Sequence, residues 1–355
     1  METGNAIELK GVTKRFGDVI ANDNVNLTVR KGEILSILGE NGSGKTTLMN
    51  MLSGIYFPDE GEVYVDGKEV TIRSPKDSFA LGIGMIHQHF KLINILTAAE
   101  NIILGLPGKE KLNMKQVEKE IRELTEQYGF DLNPSQKIYD MSVSQKQTVE
   151  IVKVLYRGAD ILILDEPTAV LTPQETEKLF AVLRNMRKAG KSIIIITHKL
   201  NEVLELSDRV AVLRKGKYID TVETAKATVE SLTEMMVGEK VKLDINRTEP
   251  VGAEKRIEMR GITCKNKEGL KVLTEASFTA YSGEILGVAG ISGSGQKELL
   301  ESVAGLQPIE SGEILYFSPE GTTEKISEMK AEDIKNLGIT LSFVPEDRLG
   351  MGLVG

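Results

Sequence analysis

The sequence predicts an α/β fold with a mainly parallel core sheet. Three nearly uniform apolar runs occupy residues 34–38, 161–164 and 193–196, and strands that are apolar on both faces are typical of a parallel sheet covered by helices. Segments with apolar residues every three or four positions, typical of helices, lie between these runs. Alternation of strands and helices along the chain favours a parallel sheet joined by helical crossovers.

Length and composition are those of a soluble globular protein with room for two domains. The chain has 355 residues, of which 41% are hydrophobic and 27% are charged, and domains of roughly 100–200 residues are usual. The net charge of −8 argues against a dedicated nucleic-acid binder, because phosphate contacts need clustered Lys and Arg. The longest aliphatic run, 193–196, is far shorter than the roughly 20 residues of a membrane span.

The N-terminal segments predict short strands around one conspicuous aromatic residue. Residues 6–13 begin as a strand, and Val25–Val29 predicts another. Residues 61–67 alternate apolar and polar side chains and end in Asp-Gly, which indicates a hairpin. Phe16 lies between the first two strands, and its ring could stack on a base or pack as an edge residue.

Residues 39–47, here called the phosphate loop, carry the functional interpretation. They match G-x-x-x-x-G-K-[ST] between the apolar run 34–38 and an amphipathic segment. Glycines let backbone N–H groups surround phosphate oxygens, and a following helix N-terminus adds partial positive charge. Lys45 would reach the β- and γ-phosphates, and the Thr46 hydroxyl would hold Mg²⁺. The expected nucleotide-binding residues of the loop are Gly39, Glu40, Asn41, Gly42, Ser43, Gly44, Lys45, Thr46 and Thr47.

Later segments predict further strands and capped helices. Residues 81–88 predict a strand that ends on Gln88. Residues 113–128 predict a helix that begins after Asn113 and ends at Gly129. The tetrapeptide 172–175, Thr-Pro-Gln-Glu, is a capping box with proline in the first helical position.

Polar side chains follow two of the apolar strands. Asp165 and Glu166 end the run 161–164, and His198 follows the run 193–196 after one residue. Phosphoryl transfer needs a lysine, a metal-holding carboxylate and a water-orienting carboxylate, because the protein mainly supplies position and charge stabilisation. The chain contains these parts.

The second part of the chain repeats the first. Ile257–Thr263 matches Ile7–Thr13, and one offset of 251 residues carries Gly39 to Gly290. The polar stretch between the copies has the composition of a linker. The sequence therefore predicts a first nucleotide-binding domain at 1–238, a linker at 239–255 and the N-terminal part of a second copy at 256–355.

In this order the motifs resemble the nucleotide-binding subunits of ATP-binding cassette transporters. The resemblance implies a P-loop nucleotide-binding cassette with an antiparallel β subdomain and a helical subdomain beside the core sheet. It implies ATP and Mg²⁺ as cofactors and transport-coupled ATP hydrolysis as the activity. The residues that carry the resemblance are Phe16, the phosphate loop, Gln88, Ser142–Gln145, 161–166 and His198.

The resemblance assigns a role to each position. Phe16 would stack on adenine, and Gln88 would contact Mg²⁺ and the attacking water where the membrane partner docks. Asp165 would hold Mg²⁺, Glu166 would be the catalytic base, and His198 would contact the γ-phosphate. The expected catalytic residues are therefore Glu166, His198 and Gln88, and the expected metal ligands are Thr46, Gln88 and Asp165.

Two departures from the family pattern predict unequal sites. The family signature Leu-Ser-Gly-Gly-Gln is Met-Ser-Val-Ser-Gln at 141–145, and loss of both glycines crowds the backbone. In the second copy Gln296 and Lys297 replace the lysine and the hydroxyl. In this family each ATP lies between one cassette's loop and the other's signature, so both changes fall in one degenerate site. The signature residues expected to bind nucleotide are Ser142, Ser144 and Gln145.

The second copy is expected to be truncated. Glu346 takes the position of Gln88, and the second signature, carboxylate pair and histidine do not follow it. The chain alone is then expected to bind ATP but to hydrolyse it weakly.

A closer resemblance is to the ATPases of bacterial importers for simple sugars and nucleosides. Residues 84–90, 155–160 and 167–173 are most similar to the nucleoside branch. That branch implies two transmembrane permease subunits, a substrate-binding lipoprotein of the basic-membrane-protein type, and a peripheral position at the cytoplasmic face of the cell membrane. No nucleic-acid partner is expected.

Three alternatives stay open. The cargo could be a simple sugar such as ribose. A soluble cassette ATPase acting on ribosomes or DNA is disfavoured by the short linker and the acidic net charge. A non-hydrolysing ATP switch would bind ATP without turnover.

Overall fold

A computed structural model describes residues 4–87, 90–106, 113–239, 251–266, 269–290, 293–340, 342 and 344. The chain forms two compact units, Met1–Leu243 and Asp244–Gly355. Among the described residues, no helix combines the length and the apolar character that crossing a bilayer requires. Most of the predicted linker, residues 240–250, lies outside the described ranges.

Strands and helices alternate through most of the first unit. Its strands are β1 (Asn5–Phe16), β2 (Val19–Arg30), β3 (Ile34–Leu38), β4 (Glu60–Val65), β5 (Lys68–Val70), β6 (Ile83–Ile86), β7 (Ile161–Asp165), β8 (Ser192–Ile196), β9 (Arg209–Arg214) and β10 (Lys217–Glu223). Its helices are α1 (Lys45–Leu52), α2 (Pro75–Ala80), α3 (Ala98–Ile103), α4 (Met114–Tyr128), α5 (Val143–Tyr156), α6 (Pro173–Lys188), α7 (Leu200–Leu206) and α8 (Val229–Val237). The second unit contains β11 (Lys255–Lys265), β12 (Lys271–Tyr281), α9 (Gln296–Val303), β13 (Ser311–Phe317), β14 (Thr323–Lys325) and α10 (Ala331–Asn336).

A six-stranded sheet forms the centre of the first unit. Its order is β10-β9-β3-β8-β7-β6, with β10 antiparallel and the other five strands parallel. Every residue of β3, β7 and β8 is buried, because apolar layers cover both faces of these strands. The predicted α/β fold with a mainly parallel core sheet is confirmed.

A four-stranded antiparallel sheet, in the order β2-β1-β4-β5, lies beside this core. Strands β1 and β2 are longer than the predicted segments 6–13 and 25–29. Register shifts along their pairing, as between Leu9 and Val12, break the alternation by which a strand is recognised in sequence. Phe16 is consequently the last residue of β1. The predicted hairpin is present as β4 and β5, joined by Asp66 and Gly67.

Three helices share an apolar cluster of their own. Side chains of α3, α4 and α5, among them Ile102, Ile121 and Val149, are buried together. As predicted, α4 begins after Asn113, whose side chain accepts from the Gln116 N–H, and ends at a left-handed Gly129. The predicted capping box begins α6, with the Thr172 and Glu175 side chains each bonded to the other's backbone N–H. These caps are local, so the sequence reveals them.

The second unit has an antiparallel sheet of the same order, β12-β11-β13-β14. Its helix α9 begins after Gly295, which has a φ of 88°, as α1 begins after Gly44 with a φ of 95°. Residues 284–290, which match β3 in the repeat, form no strand, and Ile285 is 94% exposed. In the first unit β8 and β9 flank β3, and the described part of the second unit has no counterparts of them.

Gly84 sets how closely α5 packs on the edge strand β6. A Cβ at this position would lie 2.0 Å from Val154 Cγ1 and 3.2 Å from the Ala159 Cβ. We expect Gly84→Ala to lower the free energy of unfolding by about 1–3 kcal/mol, because a stiff, buried valine cannot move aside. Urea denaturation followed by circular dichroism measures this change.

The control is Val154→Ala, alone and combined with Gly84→Ala. Removal of the valine methyl groups makes room for the new Cβ, so the two substitutions should couple favourably by at least about 0.5 kcal/mol. Additive effects would show that this clash does not limit the packing.

Candidate functional site

The phosphate loop joins β3 to α1, and its glycines are required by close backbone contacts. A Cβ on Gly39 would lie 2.3 Å from the carbonyl oxygen of Leu213. A Cβ on Gly44 would lie 2.3 Å from the carbonyl oxygen of Ala21, and Gly44 also has a left-handed φ of 95°. Only glycine fits at both positions, so the loop curves directly into the N-terminus of α1.

Lys45, the first residue of α1, folds back onto the loop. Its Nζ donates to the carbonyl oxygens of Gly39 at 2.7 Å and Glu40 at 2.8 Å. The residue is buried, and burial lowers the pKa of the ammonium, although the nearby carboxylates of Glu166 and Asp165 favour its charged form. A desolvated cation is therefore held on weak neutral acceptors, where an anionic ligand can compete for it.

Thr46 and Asp165 bring two oxygen ligands together beside the loop. Asp165 is the buried last residue of β7, and its carboxylate hydrogen bonds with the Thr46 side chain. Burial and the charge of Glu166 raise the pKa of Asp165, whereas the bond from Thr46 and the charge of Lys45 oppose that shift. A hydroxyl and a carboxylate are hard oxygen donors of the kind that Mg²⁺ takes.

Glu166 and His198 meet where β7 and β8 end. The N–H of Glu166 donates to the carbonyl oxygen of Ile196 at 2.9 Å, and its Oε1 lies 3.0 Å from His198 Nδ1. Glu166 has a φ of +47°, a conformation that costs a non-glycine residue energy and is common at functional sites. The backbone pairing of the two strands thus fixes a carboxylate beside an imidazole.

Beside the phosphate loop lies a cavity of about 380 Å³, whose lining does not include Asp165 or His198. Asp165 lines a smaller neighbouring cavity, which Glu166 shares. The larger cavity contains most of the predicted phosphate-loop residues together with Glu166. The sequence did not indicate Val19, Ile20 or Lys215 as part of it. The sequence indicates a turn at 214–217 but not its contact with the loop, where the Gly216 N–H donates to the Ser43 carbonyl oxygen at 3.2 Å. The lining residues are Val19, Ile20, Ala21, Asn41, Gly42, Gly44, Lys45, Thr46, Thr47, Glu166, Ile196, Lys215 and Gly216.

The structure does not bring every predicted site residue to this cavity. Ser142 caps α5 through a capping box with Gln145, and both residues line a separate cavity of about 700 Å³ together with Ser144. Phe16 does not line the phosphate-loop cavity but pairs in the sheet with Val19, which does. Gln88 and Glu346 lie outside the described residues.

Comparison with known proteins places this geometry in a family. The profile described as "ABC transporter" matches residues 22–169. The nucleoside import ATP-binding protein NupA of Lactococcus lactis is 46% identical over 100% of this chain and 69% of its own length. The guanosine import ATP-binding protein NupO of Bacillus subtilis is 44% identical over 98% of this chain and 67% of its own length.

A solved structure agrees with the sequence comparison. It is a dimeric post-hydrolysis state of an ATP-binding cassette bound to ADP and Pi, with a TM-score of 0.54 and 29% identity. The match covers 61% of this chain and 98% of that cassette. Since the sequence relatives extend along the whole chain and the loop has the geometry of a phosphate site, the protein belongs to the ABC transporter family, as an ATP-binding subunit.

Proposed function

We propose that this protein hydrolyses ATP to energise the import of nucleosides across the cytoplasmic membrane. The observation that carries the proposal is 46% identity across the whole chain to a nucleoside import ATP-binding protein. The guanosine import relative supports the same cargo class. The site described above supplies the parts that phosphoryl transfer needs, which a merely structural cassette would not.

The phosphate loop binds the ATP phosphates in this proposal. Backbone N–H groups of residues 39–47 surround the oxygens, and the N-terminus of α1 adds its dipole. Lys45 exchanges the carbonyl oxygens of Gly39 and Glu40 for phosphate oxygens, which restores a full counter-charge to its buried ammonium.

Thr46 and Asp165 hold Mg²⁺ in this proposal. Their side chains meet in a hydrogen bond, so the two oxygens that would hold the cation lie side by side. Gln88 is proposed as a third ligand and as a contact of the attacking water. When bound, Mg²⁺ neutralises charge on the phosphate oxygens.

Glu166 orients the attacking water and accepts its proton, and His198 contacts the γ-phosphate. The 3.0 Å contact between their side chains lets the imidazole fix the orientation of the carboxylate. Their placement at neighbouring strand ends gives the in-line attack a fixed geometry. Phe16, near Val19 at the cavity wall, stacks on the adenine.

We also infer that the chain contains a first cassette at 1–238, a linker at 239–255 and part of a second, degenerate cassette at 256–355. The shared strand order of the two antiparallel sheets supports this division. At the lysine position a neutral amide replaces the ammonium, and its Nε2, in Gln296, donates to the Val288 carbonyl oxygen at 2.8 Å. Ser142, Ser144 and Gln145 are proposed, as signature residues, to bind nucleotide.

Transmembrane permease subunits are the proposed direct partners, at the cytoplasmic face of the membrane. A groove of about 240 Å³ includes His87, the residue that precedes Gln88 in the chain. Three cationic side chains, those of Lys91, Lys153 and Arg157, line it against one acidic group, Glu150. Burial lowers the pKa of His87, so it adds no charge at neutral pH. The excess of positive charge suits a permease segment with an acidic residue. A substrate-binding lipoprotein would deliver the nucleoside from outside.

Lys45→Ala tests the transport assignment in cells that naturally express this protein. We expect nucleoside uptake below about a tenth of the native rate, because a charge contact to the phosphates is lost. Uptake of labelled nucleosides and of labelled ribose provides the measurement, with Lys188→Ala on the exposed face of α6 as the control. Selective loss of ribose uptake would move the assignment to sugars, and unchanged uptake of both would contradict it.

Glu166→Gln tests the catalytic assignment. The amide keeps the size of the side chain but cannot accept a proton, so we expect ATP affinity within about twofold and hydrolysis lowered about 10²–10³-fold. Phosphate release by the transport complex in proteoliposomes is the measurement, and exposed Glu177→Gln is the control. Hydrolysis at the native rate would exclude Glu166 as the base.

A further inference from the structure

We propose that Tyr56, Lys14 and Asp59 are positioning residues that hold the Phe16 ring as a preformed stacking surface for the nucleotide base. The proposal rests on the nucleotide site proposed above and extends it to residues outside the cavity. It concerns base recognition and not the chemistry of the phosphates.

The position of Phe16 in the fold suits a contact with the base of a bound nucleotide. Phe16 ends β1 and pairs with Val19 across the hairpin, and Val19 and Ile20 form the cavity wall beyond the phosphate loop. A nucleotide whose phosphates occupy residues 39–47 therefore extends toward this hairpin. Phe16 is 43% exposed, so part of its ring is accessible to a ligand.

The buried part of the ring is held by two side chains. Tyr56 contacts it edge to face, with ring centroids 5.1 Å apart and planes at 72°. The Lys14 ammonium lies over the ring, 5.5 Å from its centroid. Both contacts are geometrically specific and favourable, and they fix the ring while part of its surface stays exposed.

Asp59 fixes the segment that carries the ring. Its Oδ1 accepts from Lys14 Nζ at 3.0 Å, and its Oδ2 accepts from the backbone N–H of Arg15 at 2.6 Å. Its own N–H donates to the carbonyl oxygen of Thr13 at 2.9 Å. The N–H of Arg15, followed by the Lys14 ammonium, lowers the pKa of Asp59, because both favour the ionised carboxylate. One residue thus bonds three successive positions that lead to Phe16.

Preorganisation is the physical benefit of this arrangement. A ring that is already oriented loses little conformational freedom when a ligand binds, so more of the stacking energy appears as affinity. Stacking accepts any base because every base has a π-face. The contact should therefore strengthen binding of nucleoside triphosphates in general and should leave a ligand without a base unaffected.

The test compares Mg²⁺-ATP with Mg²⁺-tripolyphosphate, which lacks the base and ribose, by titration calorimetry on the whole chain. We expect Tyr56→Leu to weaken ATP binding about 3–10-fold, the range for one lost aromatic pair, and to change tripolyphosphate binding by less than about twofold. Tyr56→Phe keeps the ring and should retain ATP affinity. Glu60→Gln removes the neighbouring ion pair with Arg15 without touching Phe16, so it serves as the matched control.

The ligand pair separates a positioning role from a structural one. If Tyr56→Leu is merely misfolded, it will lose binding of both ligands. Lys14→Met, which removes the cation over the ring, then provides the deciding measurement. We expect it to weaken ATP binding and to leave tripolyphosphate binding unchanged within about twofold. ATP affinity unchanged in Tyr56→Leu and Lys14→Met would overturn the proposal while the nucleotide site stands. Failure of the native chain to bind ATP would overturn both.

Discussion

The structure depends on two places where the phosphate loop touches the backbone of another strand. Gly39 lies against the carbonyl of Leu213 in β9, and Gly44 lies against the carbonyl of Ala21 in β2. The first contact joins the loop to the six-stranded sheet and the second joins it to the antiparallel sheet. Because a side chain at either glycine would force the backbones apart, both glycines are needed for the loop to lie this close to the two sheets.

Around this loop the sheet creates a site whose buried charges are poorly neutralised by the protein. Burial lowers the pKa of Lys45 and raises that of Asp165, so burial opposes the charged form of each group. A phosphate with its metal ion brings an anion for the lysine and a cation for the carboxylate. Binding of both would then favour the charged form of each group.

Sequence reasoning succeeded where structure is local and failed where it is tertiary. The buried strands β3, β7 and β8 and the caps of α4 and α6 follow from short patterns of residue type. The lengths of β1 and β2 do not, because bulges interrupt their alternation. The cavity wall could not be predicted from such patterns either. Val19 and Lys215 come from hairpins far apart in the chain, and only the folded protein brings them beside Thr46. Motif spacing identifies the loop, but not its surroundings.

The phosphate loop and the matching loop of the second unit have similar backbone conformations but different side chains. Gly293 and Gly295 have φ values of 80° and 88°, close to those of Gly42 and Gly44, which are 80° and 95°. Yet Gln296 places a neutral amide where Lys45 places an ammonium, and that amide satisfies itself on a backbone carbonyl. The glycine conformations are thus similar in the two loops, whereas the buried ammonium is found only in the first. A turn of this shape is evidence of fold, and only the charge within it is evidence of catalysis.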